Sequence, residues 1–272
     1  MKCVKCAAGA YNFRMPLTLD VCTAQHIGDR QDQQDRVAFL PHSRRPGMAL
    51  AVLADGMGGR TGGAMAAEQV LHTAKSVFEA YGPADSVQEM LKVGIDDAHD
   101  AISLTRYTSE KEPHSTACMM LLQGGRADWA HCGDSRIYHY RDGALIGRSF
   151  DHSLVADLVS KGRLSEAEAE CHPERNILLS CLGAPERPQI VFGGTAPLVA
   201  GDCFLLCSDG LWGYYSDAEL GSLLVQHPPR AAAELLIGQA RQRAKGHGDN
   251  ISLLIVRLVK RKSDEIPSPL RG

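Results

Sequence analysis

The apolar segments of this chain are grouped by kind along the sequence, which limits the folds that it can adopt. Two strand-length runs come first, at Arg36–Leu40 and Met48–Ala54. Two helical patterns follow, with apolar residues every three or four positions, from Gly62 to Tyr81 and from Val87 to Ile102. Four strand patterns then follow one another across glycine-containing turns, at Thr116–Leu122, Ala127–His131, Arg136–Tyr140 and Ala144–Ile146.

The second half of the sequence continues this grouping. A polar, helical middle covers Ser153–Glu170, and a buried strand follows at Cys203–Cys207. Two helical patterns lie between Asp217 and Arg243, and the last strand is Ile251–Val259. Strands therefore cluster with strands instead of alternating one by one with helices. This order predicts an α+β fold with antiparallel sheets rather than a doubly wound parallel sheet.

One domain accounts for the pattern, and we expect it to span residues 17–259. Residues 1–16 lack periodicity and are expected to form an N-terminal tail, and the charged, proline-containing residues 260–272 a flexible C-terminal tail. Cys3 and Cys6 form a single Cys-x-x-Cys pair with no second pair to complete four zinc ligands, so we expect no zinc site.

The composition excludes several classes of protein. The chain has 29 Lys and Arg against 32 Asp and Glu, a net charge of −3, which argues against a general nucleic-acid or anionic-membrane binder. Its longest apolar runs are strand-length, and no apolar segment follows the N-terminal charges as in a secretion signal. The nine cysteines are odd in number and lie mostly in apolar runs, which favours a reducing compartment. We therefore expect a cytoplasmic, monomeric protein.

Four aspartates stand at the ends of apolar, strand-like runs, each close to a glycine: Asp55, Asp134, Asp209 and Asp249. A single aspartate in such a place is an ordinary turn residue. Four carboxylates brought together would repel one another unless a cation lay among them. Hard oxygen ligands with few well-placed His or Cys residues favour Mg²⁺ or Mn²⁺ over zinc, and the chemistry they indicate is hydrolysis by metal-activated water.

A set of short motifs covers the chain from about residue 18 to residue 258: Gly28–Asp35, Ala54–Gly59, Ser115–Ala117, Cys132–Arg136, Asp151–Leu154, His172–Asn176, Cys207–Trp212 and Gly248–Ser252. In composition and in order, this set resembles the metal-dependent type 2C serine/threonine protein phosphatases in their bacterial form. The resemblance implies a sandwich of two antiparallel β-sheets flanked by pairs of α-helices. It also implies phosphoprotein substrates and an opposing serine/threonine kinase.

The resemblance also implies residue roles and a cofactor of two Mn²⁺ or Mg²⁺ ions. Asp55 would bridge the two metals, the Gly56 carbonyl would bind the second, and Asp209 and Asp249 would complete the first. Asp35 would orient metal-bound water. Arg30 would grip the substrate phosphate, since a guanidinium offers two parallel donors to two phosphate oxygens. Asp134 would bind a third, weaker metal.

Three positions depart from the family pattern. Gln34 stands where many members carry Glu, so its neutral oxygen should hold the second metal less strongly. Met57 replaces a histidine of eukaryotic members, which leaves no residue assignable as general acid. Gly213 stands four residues after Asp209, where many members have another Asp, and this weakens the third site.

Other motifs admit competing interpretations. Cys181 and Arg187 fit the Cys-x5-Arg pattern of thiol phosphatases, but Pro185 lacks an N–H for an oxyanion and Glu186 would repel phosphate. The glycines after Asp55 lack the Lys-Ser/Thr ending of a nucleotide-binding loop. His131 is expected to be structural, whereas His152 either contacts the site or is structural. Arg136 is either an ion-pair partner or a phosphate contact.

Two functions remain open at this stage. The first is a serine/threonine phosphatase in which two metals and Arg30 stabilise an in-line displacement by water, with no covalent intermediate. The second is a non-catalytic regulatory or binding module of the same fold, which Gln34 and Gly213 would favour if they emptied the metal site. The presence of Asp55, Asp209 and Asp249 favours the enzyme.

Overall fold

A computed structural model describes residues 5–12, 17–82, 84–105 and 112–261. Its elements, in chain order, are β1 (Lys5–Asn12), β2 (Leu17–His26), β3 (Arg36–Pro41), β4 (Met48–Ala54), β5 (Gly56–Met57), α1 (Gly59–Ala80), α2 (Val87–Thr105), β6 (His114–Ser115), β7 (Ala117–Gln123), β8 (Arg126–Cys132), β9 (Arg136–Arg141), β10 (Ala144–Arg148), α3 (Leu154–Ser160), α4 (Glu166–Glu170), β11 (Val191–Thr195), β12 (Asp202–Cys207), α5 (Asp209–Trp212), α6 (Asp217–Gln226), α7 (Pro229–Ala244) and β13 (Ile251–Lys260).

The strands form two large antiparallel sheets. One has six strands in the order β1-β2-β13-β12-β9-β10, and the other has five in the order β11-β8-β7-β4-β3. Strands β5 and β6 form a separate two-stranded sheet; in the sequence, β5 follows β4 and β6 precedes β7. The predicted strand pair at Arg36–Leu40 and Met48–Ala54 is present as β3 and β4.

The two sheets and the helices on their outer faces form four layers, which three apolar clusters hold together. Helices α1 and α2 pack on the outer face of the five-stranded sheet, and α5, α6 and α7 pack on the outer face of the six-stranded sheet. The third cluster fills the space between the sheets. The predicted α+β sandwich, with helices on both sides of two antiparallel sheets, is confirmed.

The central strands are apolar on both faces because each lies between two of these clusters. In β4, Leu50 and Val52 face the helices, whereas Ala51 and Leu53 face the other sheet. This two-sided burial explains the uninterrupted apolar runs in the sequence, a pattern more often associated with parallel sheets. None of the helices in the described ranges is long and apolar enough to cross a membrane.

One sequence prediction about the elements is wrong, and strands β2 and β11 were not predicted. Residues 1–16 were expected to form a tail, but Lys5–Asn12 pairs along its whole length with β2. Its small residues and central Gly9 give no clear alternation, so the sequence does not mark it as a strand. Strand β11 was missed because its glycines interrupt the alternation of apolar and polar residues. Gly193 leaves space for the Trp129 ring, since a Cβ there would lie 2.4 Å from Nε1 of Trp129.

The outer parts of the predicted tails lie outside the described residues. Lys260 is still part of β13, and the predicted C-terminal tail beyond residue 261 is not described. The Cys3 and Cys6 pair also lies outside the residues whose side chains are described.

Candidate metal centre

The predicted aspartates come together where the ends of the two sheets meet. Asp55 follows β4 of the five-stranded sheet, and Asp209 begins α5 directly after β12 of the six-stranded sheet. Asp249 stands two residues before β13, and Asp35 stands directly before β3. Asp134 lies in the turn between β8 and β9. Each carboxylate is therefore held at or near the end of a strand.

The electrostatics of these side chains show that they form one cluster. Burial, followed by repulsion from Asp35 and Asp209, raises the pKa of Asp55 well above its ordinary value. Burial and then repulsion from Asp134 and Asp249 do the same to the pKa of Asp209. Like charges this close destabilise one another, so a cation among them would relieve the repulsion.

Two members of the cluster have smaller perturbations. Burial raises the pKa of Asp134 to about 7, with repulsion from Asp151 as the next contribution. Burial also raises the pKa of Asp35 to about 6, although the Ser208 hydroxyl donates a 2.9 Å hydrogen bond to its carboxylate and lowers the pKa in part. The Ser208 oxygen itself accepts a hydrogen bond from the backbone N–H of Ser252.

Gly56 lies in a corner that has no room for a side chain. A Cβ on Gly56 would stand 2.0 Å from the carbonyl oxygen of Gly63. The Gly56 carbonyl oxygen and Oε1 of Gln34 would both stand 2.5 Å from a Cβ on Gly63, so these two oxygens are close neighbours. The structure therefore brings together the two neutral oxygens that the sequence assigned to the second metal.

Arg30 reaches the cluster from the solvent side. Its Nη2 donates a 2.6 Å hydrogen bond to Oδ2 of Asp249, and its side chain is 62% exposed. The guanidinium is thus both accessible to a large substrate and adjacent to the carboxylates. This is the position that a phosphate-binding arginine needs beside a metal site.

The donor set fits a divalent metal of the Mg²⁺ or Mn²⁺ kind, because it consists of carboxylate, carbonyl and amide oxygens. Within the described residues, no three His, Cys, Asp or Glu side chains already converge on one point. Asp249 accepts a hydrogen bond from Arg30, and Asp35 accepts one from Ser208. The residues that fit a metal are thus gathered, while two of the carboxylates also contact hydrogen-bond donors.

The structure resolves the alternatives for Arg136. Its guanidinium forms two hydrogen bonds with Asp151, of 2.8 and 2.7 Å, and lies 3.5 Å over the ring of Trp212. The Trp212 indole in turn donates to the backbone carbonyl of Asp134. Arg136 is therefore an ion-pair partner that supports the Asp134 turn, not a phosphate contact.

The histidines next to this turn are structural as well. His131 and His152 stack with ring centroids 4.9 Å apart, and Nδ1 of His152 accepts a hydrogen bond from the backbone N–H of Gly133. Burial lowers the pKa of His152 to about 4, so this ring is neutral at neutral pH. His152 thus contacts the site through Gly133 and, being uncharged, is not a general acid.

The thiol-phosphatase interpretation of Cys181 is not supported. Burial raises the pKa of the Cys181 thiol to about 11, whereas a nucleophilic cysteine needs a lowered pKa. Arg187, which such a loop would use for phosphate, forms a 2.7 Å ion pair with Asp100 on α2.

Sequence reasoning missed two residues that hold the site together, Ser208 and Asn250. Both are buried, and both lie inside motifs that the sequence analysis used. Their position next to Asp209 and Asp249 was the only sign in the sequence that they belong to the site. Their roles could not be predicted, because their hydrogen-bond partners are distant in sequence.

An oxygen-rich carboxylate centre at one end of an α-β-β-α sandwich, with an exposed arginine beside it, defines a class of metal-dependent hydrolases. The chain belongs to the protein phosphatase 2C family, whose model matches residues 22–229. The family resemblance and the fold predicted from the sequence are confirmed.

Individual relatives agree with this assignment. Protein phosphatase PhpP of Streptococcus pneumoniae is 31% identical over 242 residues, which cover 84% of this chain and 92% of that protein. The structure of the S. agalactiae serine/threonine phosphatase matches with a TM-score of 0.79 at 30% identity, covering 89% of this chain and 100% of that one. The catalytic domain of the phosphatase PstP, in complex with two manganese ions, matches with a TM-score of 0.74 at 27% identity, covering 90% of this chain and 100% of that domain.

Proposed function

We propose that this chain is a metal-dependent protein phosphatase that hydrolyses phosphoserine and phosphothreonine in proteins. One observation carries the proposal: five aspartates and two neutral oxygens gather at the meeting point of the sheets, beside the exposed guanidinium of Arg30. The S. agalactiae enzyme and PstP are named serine/threonine phosphatases, which supports the same substrate class.

We assign the metal ligands as follows. Asp55 would contact both of two Mn²⁺ or Mg²⁺ ions, Asp209 and Asp249 would hold the first, and the Gly56 carbonyl and Gln34 would hold the second. Asp134 would hold a third ion weakly, because Gly213 at the end of α5 has no side chain to assist it. When bound, the ions lower the pKa of water and neutralise charge on the phosphoryl group.

The chain's own residues bind and orient the reactants. Arg30 binds two oxygens of the phosphate through its guanidinium, and its exposure leaves space for the rest of a protein substrate. Asp35 would orient the attacking water with its carboxylate, and the hydrogen bond from the Ser208 hydroxyl holds that carboxylate in place. The donor of the proton that the leaving serine or threonine oxygen takes up is not His131 or His152, because burial lowers the pKa of both rings and leaves them uncharged at neutral pH.

The setting of the reaction follows from the same chemistry. A phosphatase of this class consumes the product of a serine/threonine kinase, so we propose an opposing kinase as its counterpart. We propose a monomer as the active unit. The seven cysteines in the described ranges are free thiols, five of them buried, and this supports the reducing environment of the cytoplasm.

A phosphate-release assay tests the proposal. A phosphothreonine peptide and a phosphotyrosine peptide of the same sequence are incubated with the protein in Mn²⁺, in Mg²⁺ and in excess EDTA. We expect release from the phosphothreonine peptide only, and only with a metal ion. No release at saturating Mn²⁺, with peptide binding retained, would refute the proposal and favour the non-catalytic module.

A further inference from the structure

The segment that carries Arg30 is tied to the start of β13 by a single buried side chain. We refer to residues 27–34 as the Arg30 loop. Asn250 is 4% exposed, and its Nδ2 donates to the backbone carbonyls of Ile27, at 2.9 Å, and Asp32, at 3.0 Å. Its Oδ1 accepts from the backbone N–H of Gln34 at 2.7 Å. The amide oxygen and both amide protons of Asn250 are thus used on this loop.

A second set of contacts presses the same loop against residues 248–250. The backbone N–H of Asp29 donates to the carbonyl of Gly248, and the Asp29 carboxylate accepts from the Gly248 N–H, both at 2.8 Å. Gly28 has a φ of +65°, and a Cβ there would lie 1.9 Å from the carbonyl oxygen of Asp249. The backbone on both sides of Arg30 is therefore fixed to the residues that surround Asp249.

We propose that Asn250 is a positioning residue for Arg30, which it holds at the distance from Asp249 that phosphate binding requires. Its contacts at Ile27 and Asp32 lie three residues before and two residues after Arg30, so they fix both sides of the arginine. All three side-chain hydrogen bonds of Asn250 go to backbone groups of the Arg30 loop. The inference rests on the proposed function, because it assigns Arg30 to the substrate phosphate.

Asn250→Ala removes all three side-chain hydrogen bonds but keeps the backbone N–H that donates to Asp249. We expect kcat/KM for a phosphothreonine peptide to fall about tenfold, mostly through a higher KM, because the lost hydrogen bonds let the guanidinium leave its position. The dissociation constant of inorganic phosphate, measured by calorimetry on the Mn²⁺-loaded protein, should rise by a similar factor. Asn250→Ser gives a milder variant if the alanine variant fails to fold.

The control is Asp202→Asn, which removes a charge from a buried polar network outside the Arg30 loop. Asp202 is fully buried and contacts His139 and Arg141. This variant should lose stability while KM and phosphate affinity change less than twofold. An equal rise in KM from Asp202→Asn would mean that general destabilisation explains the Asn250 effect, and would overturn the inference.

A double-mutant cycle with Arg30→Gln separates positioning from a merely structural role. If Asn250 acts through Arg30, Asn250→Ala should change KM and phosphate affinity less than twofold once Arg30 is absent. If the two effects multiply, the inference is wrong, although the proposed function stands. A wild-type protein that releases no phosphate with Mn²⁺ would instead refute the proposed function, and the inference with it.

Discussion

Replacing Asp134 with asparagine should stabilise the protein when no metal is bound. An unfolded chain titrates Asp134 near 3.8, whereas burial and repulsion from Asp151 raise its folded pKa to about 7. A raised carboxyl pKa means that the folded state binds the proton more tightly, so stability is lost as pH rises from about 4 to about 7. Since one pKa unit corresponds to about 1.4 kcal/mol, the cost at pH 8 has an upper limit of about 4 kcal/mol.

Asn keeps the shape of Asp134 and removes its charge, and we expect a gain of about 2–4 kcal/mol in the free energy of unfolding at pH 8. Urea unfolding in EDTA at pH 8 and pH 4 measures it, and the gain should fall below about 1 kcal/mol at pH 4, where the carboxyl is protonated in the fold. Asp96→Asn, in a surface pair with Lys92, is the control and should change stability by less than about 1 kcal/mol. A variant no more stable than wild type at pH 8 would refute the argument that burial and repulsion raise the pKa of Asp134.

Three further predictions concern the reaction and its metals. Asp55→Ala and Asp249→Ala should each lower kcat by orders of magnitude while circular dichroism shows an intact fold; near-wild-type turnover would contradict the ligand assignment. Gln34→Glu should tighten metal binding by on the order of 1–3 kcal/mol, because it adds a charge beside the Gly56 carbonyl, and an unchanged calorimetric titration would show that Gln34 is not a ligand. Cys181→Ser should keep wild-type activity, and activity should survive thiol alkylation; loss of either would revive a thiol mechanism.

That these carboxylates come together could be predicted from the sequence, because the signal of each one is local. Asp55 and Asp209 each follow an uninterrupted apolar run and stand beside a glycine, and a buried strand has to end there. Strand pairs joined by short turns, such as β3 and β4, are predictable for the same reason. Each of these features is contained in about ten consecutive residues.

The features that escaped prediction depend on contacts between distant residues. The role of Arg136 is decided by Asp151 and Trp212, and nothing in the residues around Arg136 reveals either partner. The hydrogen bonds of Asn250 reach Ile27 and Asp32, more than two hundred positions away. Such pairings follow only from the way in which the two sheets close on each other.

The place of β13 in its sheet has a consequence for how the protein is made. This last strand of the described fold lies between β2 and β12, and Ile251–Lys260 pairs residue by residue with Leu17–His26. At a synthesis rate of roughly 5–20 residues per second, β2 leaves the ribosome about 10–50 s before its partner exists. During that interval β2 has an open edge that can pair with other chains. A chain that ends before residue 251 keeps this edge of β2 open, and we expect it to be prone to aggregate.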